Sequence, residues 1–314
     1  MVAMTAGQPD VIPLARAADL IGAACGRGAR DQRCRNGPDA LRAGGLNQWL
    51  RARGLDARWR AEPPTDSAES DVSALRAVTT ACRWLASETA DSVRQDIVFA
   101  VIGGDHSCAV GTWSGAYNVL QARGPLGLVW IDAHMDCHVP ETSPSGALHG
   151  MPLACLLGYG PAPLTGLARP GAALSPRHVS LIGVRSFEPA EAEFVRRLGV
   201  RVFFMDEVRK LGLAPVFDEA LAIARAGTAG FGVTIDLDAI DPEDAPGVGT
   251  PEPGGLRRGD VLGALRCLGR LPGFVGVEVA ELNPALDRGG ITCRLVRDLI
   301  AAALVAEDIH EPSH

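Results

Sequence analysis

Apolar residues fall into two alternating patterns along this chain. Residues 97–102, 126–134, 179–184, 200–205, 231–237 and 274–279 are short, nearly continuous apolar runs. Runs of that length without a polar face are expected of strands buried on both sides of a sheet. Between them the apolar positions recur at helical spacing. Val72, Leu75, Val78, Cys82 and Leu85 form one such stripe within 71–91, leaving Arg76, Arg83 and Glu88 for the outer face. Further helices are predicted from Ser107 to about Ala122, over 189–198, around Val216, Phe217, Ala220 and Leu221, around Val261, Leu262, Leu265 and Leu268, and in a C-terminal stripe of Leu295, Val296, Leu299, Ile300 and Ala303. Gly37-Pro38 opens another, with proline in its first turn, and residues 10–14 read as a short first strand.

Strands that alternate with helices and lack a polar face predict a three-layer α/β/α sandwich around a mainly parallel sheet. One domain is expected to span 1–314, with 1–9 and 307–314 as flexible ends and 158–176 as a surface excursion. At 314 residues the chain is long enough to bury a large core, and 47% hydrophobic with 21% charged residues is an ordinary globular composition. A net charge of −7 with scattered arginines argues against nucleic-acid partners, and no apolar run is long enough to span a bilayer. The expected location is cytoplasmic. The eight cysteines are dispersed without a CxxC pair, so they read as reduced thiols. The Gly26-to-Asp31 stretch lacks the P-loop and GxGxxG patterns and reads as a structural connection.

The exceptions to the apolar pattern lie at the strand ends. Trp130-Ile131-Asp132-Ala133-His134-Met135-Asp136 places ionisable groups at every second position, and Thr234-Ile235-Asp236-Leu237-Asp238 repeats the arrangement. If both segments are extended, each set shares one face. His106 follows the 97–102 run, and Glu278 to Asn283 ends the last one. Ligands of open parallel sheets bind at the carboxyl ends of strands. Crowded carboxylates there call for a cation, and the four aspartates Asp132, Asp136, Asp236 and Asp238 carry about the charge that two divalent ions neutralise. With His106 and His134 as imidazole donors, the set suits Mn²⁺, Fe²⁺, Co²⁺ or Ni²⁺.

Gly103-Gly104-Asp105-His106-Ser107, Asp132-Ala133-His134-Met135-Asp136 and Ile235-Asp236-Leu237-Asp238-Ala239-Ile240-Asp241-Pro242 together resemble the three signatures of the ureohydrolases, the arginase and agmatinase family. The similarity runs from about Gly22 to the C-terminal helix. The resemblance implies two Mn²⁺ ions per subunit, held by His106, Asp132, His134, Asp136, Asp236 and Asp238. It also implies hydrolysis of a guanidino group to urea and an amine, on a small substrate, by a homo-oligomer, trimeric or hexameric. Asp136 would pass a proton to the leaving amine, His149 would relay protons to solvent, and Glu281 would orient the guanidinium group.

The segment from Thr142 to Pro152 is similar to the one that holds the substrate α-carboxylate in arginases, with Ser143 and Ser145 supplying hydroxyls. Gly183-Val184-Arg185-Ser186-Phe187-Glu188 resembles the segment that meets the α-amino group, with Glu188 in place of the more usual Asp. His138 stands where arginases usually have Asn, and Ala147 replaces a second Asn. An acid for the ammonium group and two serines for the carboxylate make L-arginine the expected substrate, and His138 loosens that expectation. Agmatine, 4-guanidinobutyrate or another guanidino acid is the alternative, as is a catalytically silent relative.

Overall fold

Every residue of Leu126–Ile131 is buried, and this strand lies inside a wholly parallel sheet. The structure is a computed structural model that describes residues 17–60, 73–266 and 268–305. Among these, the strands are β1 (Ala17–Ala23), β2 (Asp56–Trp59), β3 (Val98–Gly103), β4 (Leu126–Ile131), β5 (Leu174–Val184), β6 (Arg201–Phe204), β7 (Gly230–Asp236) and β8 (Phe274–Ala280). They form one eight-stranded sheet in the order β2-β1-β3-β8-β7-β4-β5-β6. The helices in chain order are α1 (Gly37–Ala43), α2 (Leu46–Arg51), α3 (Ala74–Arg94), α4 (Ala109–Leu120), α5 (Pro152–Leu156), α6 (Ala162–Thr165), α7 (Pro189–Leu198), α8 (Met205–Leu211), α9 (Leu213–Arg225), α10 (Arg258–Leu265) and α11 (Ile291–Leu304).

The pleat sends alternate strand residues to opposite layers. Ile21, Phe99, Val101, Leu128 and Trp130 pack with residues of α3, α4, α5 and α7, including Leu85, Trp113, Leu153 and Val195. Leu20, Ala100, Ile102, Val129, Ile131, Val233 and Ile235 pack on the other face with α1, α2 and α8 to α11. The three-layer parallel sandwich predicted from the apolar pattern is the observed architecture.

The chain crosses over in a way that matters for the site. β3 and β4 are successive in sequence, yet β8 and β7 lie between them. The four strands whose ends carry His106, Asp132, Asp236 and Glu281 are therefore neighbours at the middle of the sheet, with their carboxyl ends on one side because all run parallel.

Several boundaries differ from expectation. The strand expected over 126–134 stops at Ile131, so Asp132, His134 and Asp136 lie on the loop that follows and are not brought together by strand alternation. The strand expected over 10–14 and the two flexible ends lie outside the described residues. β1, rich in alanine, was not visible as an apolar run, nor was the short edge strand β2, which alternates polar and apolar residues. The 158–176 stretch is more than a surface excursion. It contains α6, buries Leu164 and Ala168, and supplies the start of β5. The helix expected from Ser107 begins with a 3-10 turn at His106–Cys108, capped by the Asp105 carboxylate, before α4 takes over.

Gly127 shows how closely the layers meet. A Cβ on this β4 residue would stand 1.8 Å from the Ala224 carbonyl oxygen in α9. Backbone cannot yield as a side chain does, so Gly127→Ala should lower the free energy of unfolding by about 1–3 kcal/mol, read from urea denaturation. An unchanged midpoint would mean that β4 and α9 are not in contact.

Candidate active site

Four loops leaving β3, β4, β7 and β8 converge on one cluster. The His106 ring Nδ1 lies 3.3 Å from Asp132 Oδ2, 3.0 Å from Asp136 Oδ2 and 3.1 Å from Asp236 Oδ2. His134 Nδ1 lies 3.5 Å from Asp132 Oδ1 and 3.1 Å from Asp238 Oδ2. The six expected ligands thus form two groups, His106-Asp132-Asp136-Asp236 and Asp132-His134-Asp238, which share Asp132. All but His134 are buried.

Local backbone explains the convergence. Asp132 Oδ1 accepts from the His134 N–H (2.7 Å) and Asp236 Oδ1 from the Asp238 N–H (2.9 Å), turns that fold each i, i+2 pair back toward one point. Asp136 holds φ at +48°, and Glu281 at +68°. Left-handed backbone at non-glycine residues costs of order 1–3 kcal/mol and persists where its surroundings impose it. Here it turns one carboxylate into the cluster and another into the cleft wall.

The donor chemistry fits divalent cations. His106 Nδ1 and Asp136 Oδ2 are buried without a hydrogen-bond partner although they are 3.0 Å apart. Such orphaned atoms facing one another are costly unless something lies between them. Burial, reinforced by the charge of Asp132, pushes Asp136 up to about 6, and burial with Asp238 and Asp132 pushes Asp236 well above the carboxylate range. Burial alone would lower His134, yet Asp238 and Asp132 raise it far above the usual histidine value. The carboxylates demand positive charge, and without cations they draw it from protons on the imidazoles.

The cluster floors a cleft of about 420 Å³, whose walls include His138, Ser143, Ser145, His149, Glu188 and Glu281. Glu281 Oε1 accepts from the His106 backbone N–H (3.0 Å) and lies 3.0 Å from His149 Nδ1. Burial would lower His149, but the hydrogen bond and charge of Glu281, with Asp105 and Asp136 nearby, hold it at about 10. At the outer end, His138 is held on both ring nitrogens, Nε2 by Glu188 (2.9 Å) and Nδ1 by Thr142 Oγ1 (3.1 Å). Ser143 and Ser145 turn their oxygens to the backbone N–H groups of Gly146 and Ala147. All the site residues expected from the sequence line this one cleft or its floor.

Some wall and framework residues escaped the sequence. Ala29, Arg30 and Asp31 line the cleft, so the Gly26-to-Asp31 stretch is more than a connection. It is docked by the Gly28 N–H on Asp105 Oδ2 (2.8 Å) and by Asn283 Nδ2 on Asp31 Oδ2 (3.1 Å). Thr250 Oγ1 donates to Asp238 Oδ2 (3.0 Å), and Arg185 ties the carbonyls of Asp238 and Glu252 (2.7 Å each). Glu191, one turn beyond Glu188, is buried and accepts from the Cys137 N–H (2.8 Å). Asp105, Arg185 and Asn283 lie in segments that the sequence marks, but nothing in their type or spacing gives their partners, which are distant in the chain.

Comparison with known proteins agrees with this geometry. The Arginase family model matches residues 16–306. The arginase of Bacillus caldovelox is 37% identical over 273 residues, covering 85% of this chain and 90% of that protein, and the arginase of Brevibacillus brevis has the same identity and coverage. The crystal structure of arginase from Bacillus subtilis superposes with a TM-score of 0.86 at 32% identity, covering 93% of this chain and 99% of that one. The chain belongs to the arginase family. It is a hydrolase of guanidino carbon–nitrogen bonds, and its buried His/Asp cluster is a candidate site for the metal on which arginase-family activity depends. Among the described residues no helix is long and apolar enough to cross a membrane.

Two measurements test the electrostatics. Cations that bind only the folded state stabilise it by about 2.7 kcal/mol at a hundred times their dissociation constant, so Mn²⁺ should raise the melting temperature and a chelator should reverse it. A melting curve indifferent to both would contradict a metal-holding cluster. Burial, with the charges of Asp136 and Glu188 adding, raises Glu191 from 4.5 to about 8 despite the Cys137 N–H. The folded state then holds a proton that the unfolded chain has released, so stability should fall between about pH 5 and pH 8. Glu191→Gln should flatten that slope in denaturation at the two pH values, and an unaltered slope would place its cause elsewhere.

Proposed function

We propose that the cleft hydrolyses L-arginine to L-ornithine and urea with two divalent cations per subunit, manganese by family resemblance. The observation that carries this reading is the position of Glu281. Its buried carboxylate, turned by a positive φ, stands between His149 and the His106 backbone at the edge of the candidate metal cluster. A carboxylate so fixed binds a guanidinium group through charge-assisted hydrogen bonds and sets its carbon beside the cluster.

His106, Asp132, Asp136 and Asp236 would hold one cation, and Asp132, His134 and Asp238 the other. When bound, such a pair supplies a water acidic enough to act as a nucleophile near neutral pH. Asp136 would take a proton from that water as its oxygen bonds to the guanidino carbon, and would give it to the amine nitrogen as the bond from that nitrogen to the carbon breaks. His149, partly exposed and bonded to Glu281, connects the buried site with solvent for the return of protons.

The outer end of the cleft supports an amino-acid substrate. Glu188 offers a carboxylate to an α-ammonium group, while Ser143 and Ser145 offer hydroxyl hydrogens to an α-carboxylate, which His138 would join by releasing Glu188. The subunits are proposed to assemble as a trimer or hexamer in the cytoplasm, as the family resemblance implies.

Urea release with Mn²⁺ from L-arginine, agmatine, 4-guanidinobutyrate and 3-guanidinopropionate tests the assignment. L-arginine should have the highest kcat/KM, with agmatine reduced at least about tenfold because it leaves the carboxylate partners unpaired. A higher value for another member of the panel would move the substrate to that compound, and no urea from any would indicate a silent relative.

A further inference from the structure

Behind His106, on the side away from the aspartates, lies a buried acid that the reaction does not use. The ring Nε2 is 3.0 Å from Thr234 Oγ1, and that hydroxyl donates to Glu278 Oε2 at 2.8 Å. Glu278 is fully buried. It also accepts from Trp113 Nε1 (2.9 Å), Thr112 Oγ1 (2.7 Å) and Cys108 Sγ (3.0 Å). An acceptor-only group enclosed by donors from α4, its leading turn and β7 is an unusual way to fill space between layers, because burying a carboxyl gives no packing advantage over an apolar side chain.

The hydrogen-bond inventory gives the acid a task. The hydroxyl of Thr234 has one proton, and Glu278 receives it. Thr234 Oγ1 is left as an acceptor toward His106, which must then carry its hydrogen on Nε2 and present Nδ1 as the lone-pair atom. Nδ1 is the atom that faces Asp132, Asp136 and Asp236. The indole of Trp130 packs against the ring, with centroids 4.5 Å apart, and restrains its plane without choosing its tautomer. Among the described residues His134 has no comparable support, since its Nε2 faces Glu252 Oε1 at 3.7 Å and its side chain is 29% exposed.

We propose that Glu278 is a positioning residue which, through Thr234, fixes the tautomer and orientation of His106 and so sets the affinity of the cation held with Asp132, Asp136 and Asp236, leaving the cation on His134 and Asp238 untouched. The inference rests on the two-cation reading of the site. It makes the paired sites unequal by construction, one supported from behind by a buried relay and the other open to solvent.

Calorimetric titration of the metal-free protein with Mn²⁺ tests it, alongside thermal unfolding of the same samples. The wild type should bind two ions. Glu278→Gln and Thr234→Val should each weaken one of them by about 10- to 100-fold and change the other by less than about twofold. Thr234→Ser, which keeps the hydroxyl, should restore the wild-type value, and the double variant should be no weaker than either single one because both cut the same relay. In a His134→Asn background the remaining ion should respond to Glu278→Gln, whereas in a His106→Asn background it should not. Equal weakening of both ions together with a lower melting temperature in every variant, or no change in either ion, would overturn the proposal. Should the wild type bind fewer than two ions, the two-cation reading itself fails and this inference with it.

Discussion

Mutual repulsion among buried carboxylates is the constraint on which the rest of this structure turns. Asp132, Asp136, Asp236 and Asp238 are packed around two imidazoles with almost no access to water. Left to themselves such groups would protonate or push apart. They are held by turns that hydrogen-bond Asp132 and Asp236 to the backbone two residues on, by the Trp130 indole on Asp132 (2.8 Å), and by the Thr250 hydroxyl on Asp238. A cluster so braced is preorganised for cations, whose charge it needs to become stable.

The sheet supplies the rigidity that this arrangement requires. Its central strands β3, β8, β7 and β4 are covered on both faces, and each delivers one piece of the site at its carboxyl end. In the loops beyond these strands Asp136 and Glu281 adopt left-handed backbone. The outer cleft is built differently. Its hydrogen bonds involve half-exposed side chains such as Glu188, whereas those of the floor are made by buried ones.

The same division separates chemistry from selectivity within the arginase family. In the proposed reading the cluster and Glu281 would hold the cations and the guanidinium group, and they say nothing about what lies at the far end of the substrate. There His138 already engages Glu188, so any ammonium group that enters shares that carboxylate with an imidazole. Arg30 and Asp31, also in the cleft wall, come from a loop latched by Asn283, two residues beyond Glu281.

The sequence by itself determined the layered parallel architecture and marked the histidines and aspartates that the fold gathers into one buried cluster. Continuous apolar strands admit few other folds, and aspartates and histidines at consecutive strand ends leave few alternatives to a cation site. What it suggested for the wrong reason was the grouping of Asp132, His134 and Asp136, which comes from a turn after Ile131 and not from the alternation of a strand. Only the tertiary structure could decide that β8 and β7 insert between β3 and β4, that Ala29 to Asp31 form a cleft wall, and that Glu278 stands behind His106 through Thr234. These are contacts between residues far apart in the chain. No local spacing encodes them, because they are set by the order in which strands pair and by which side chains the pleat turns toward the same layer.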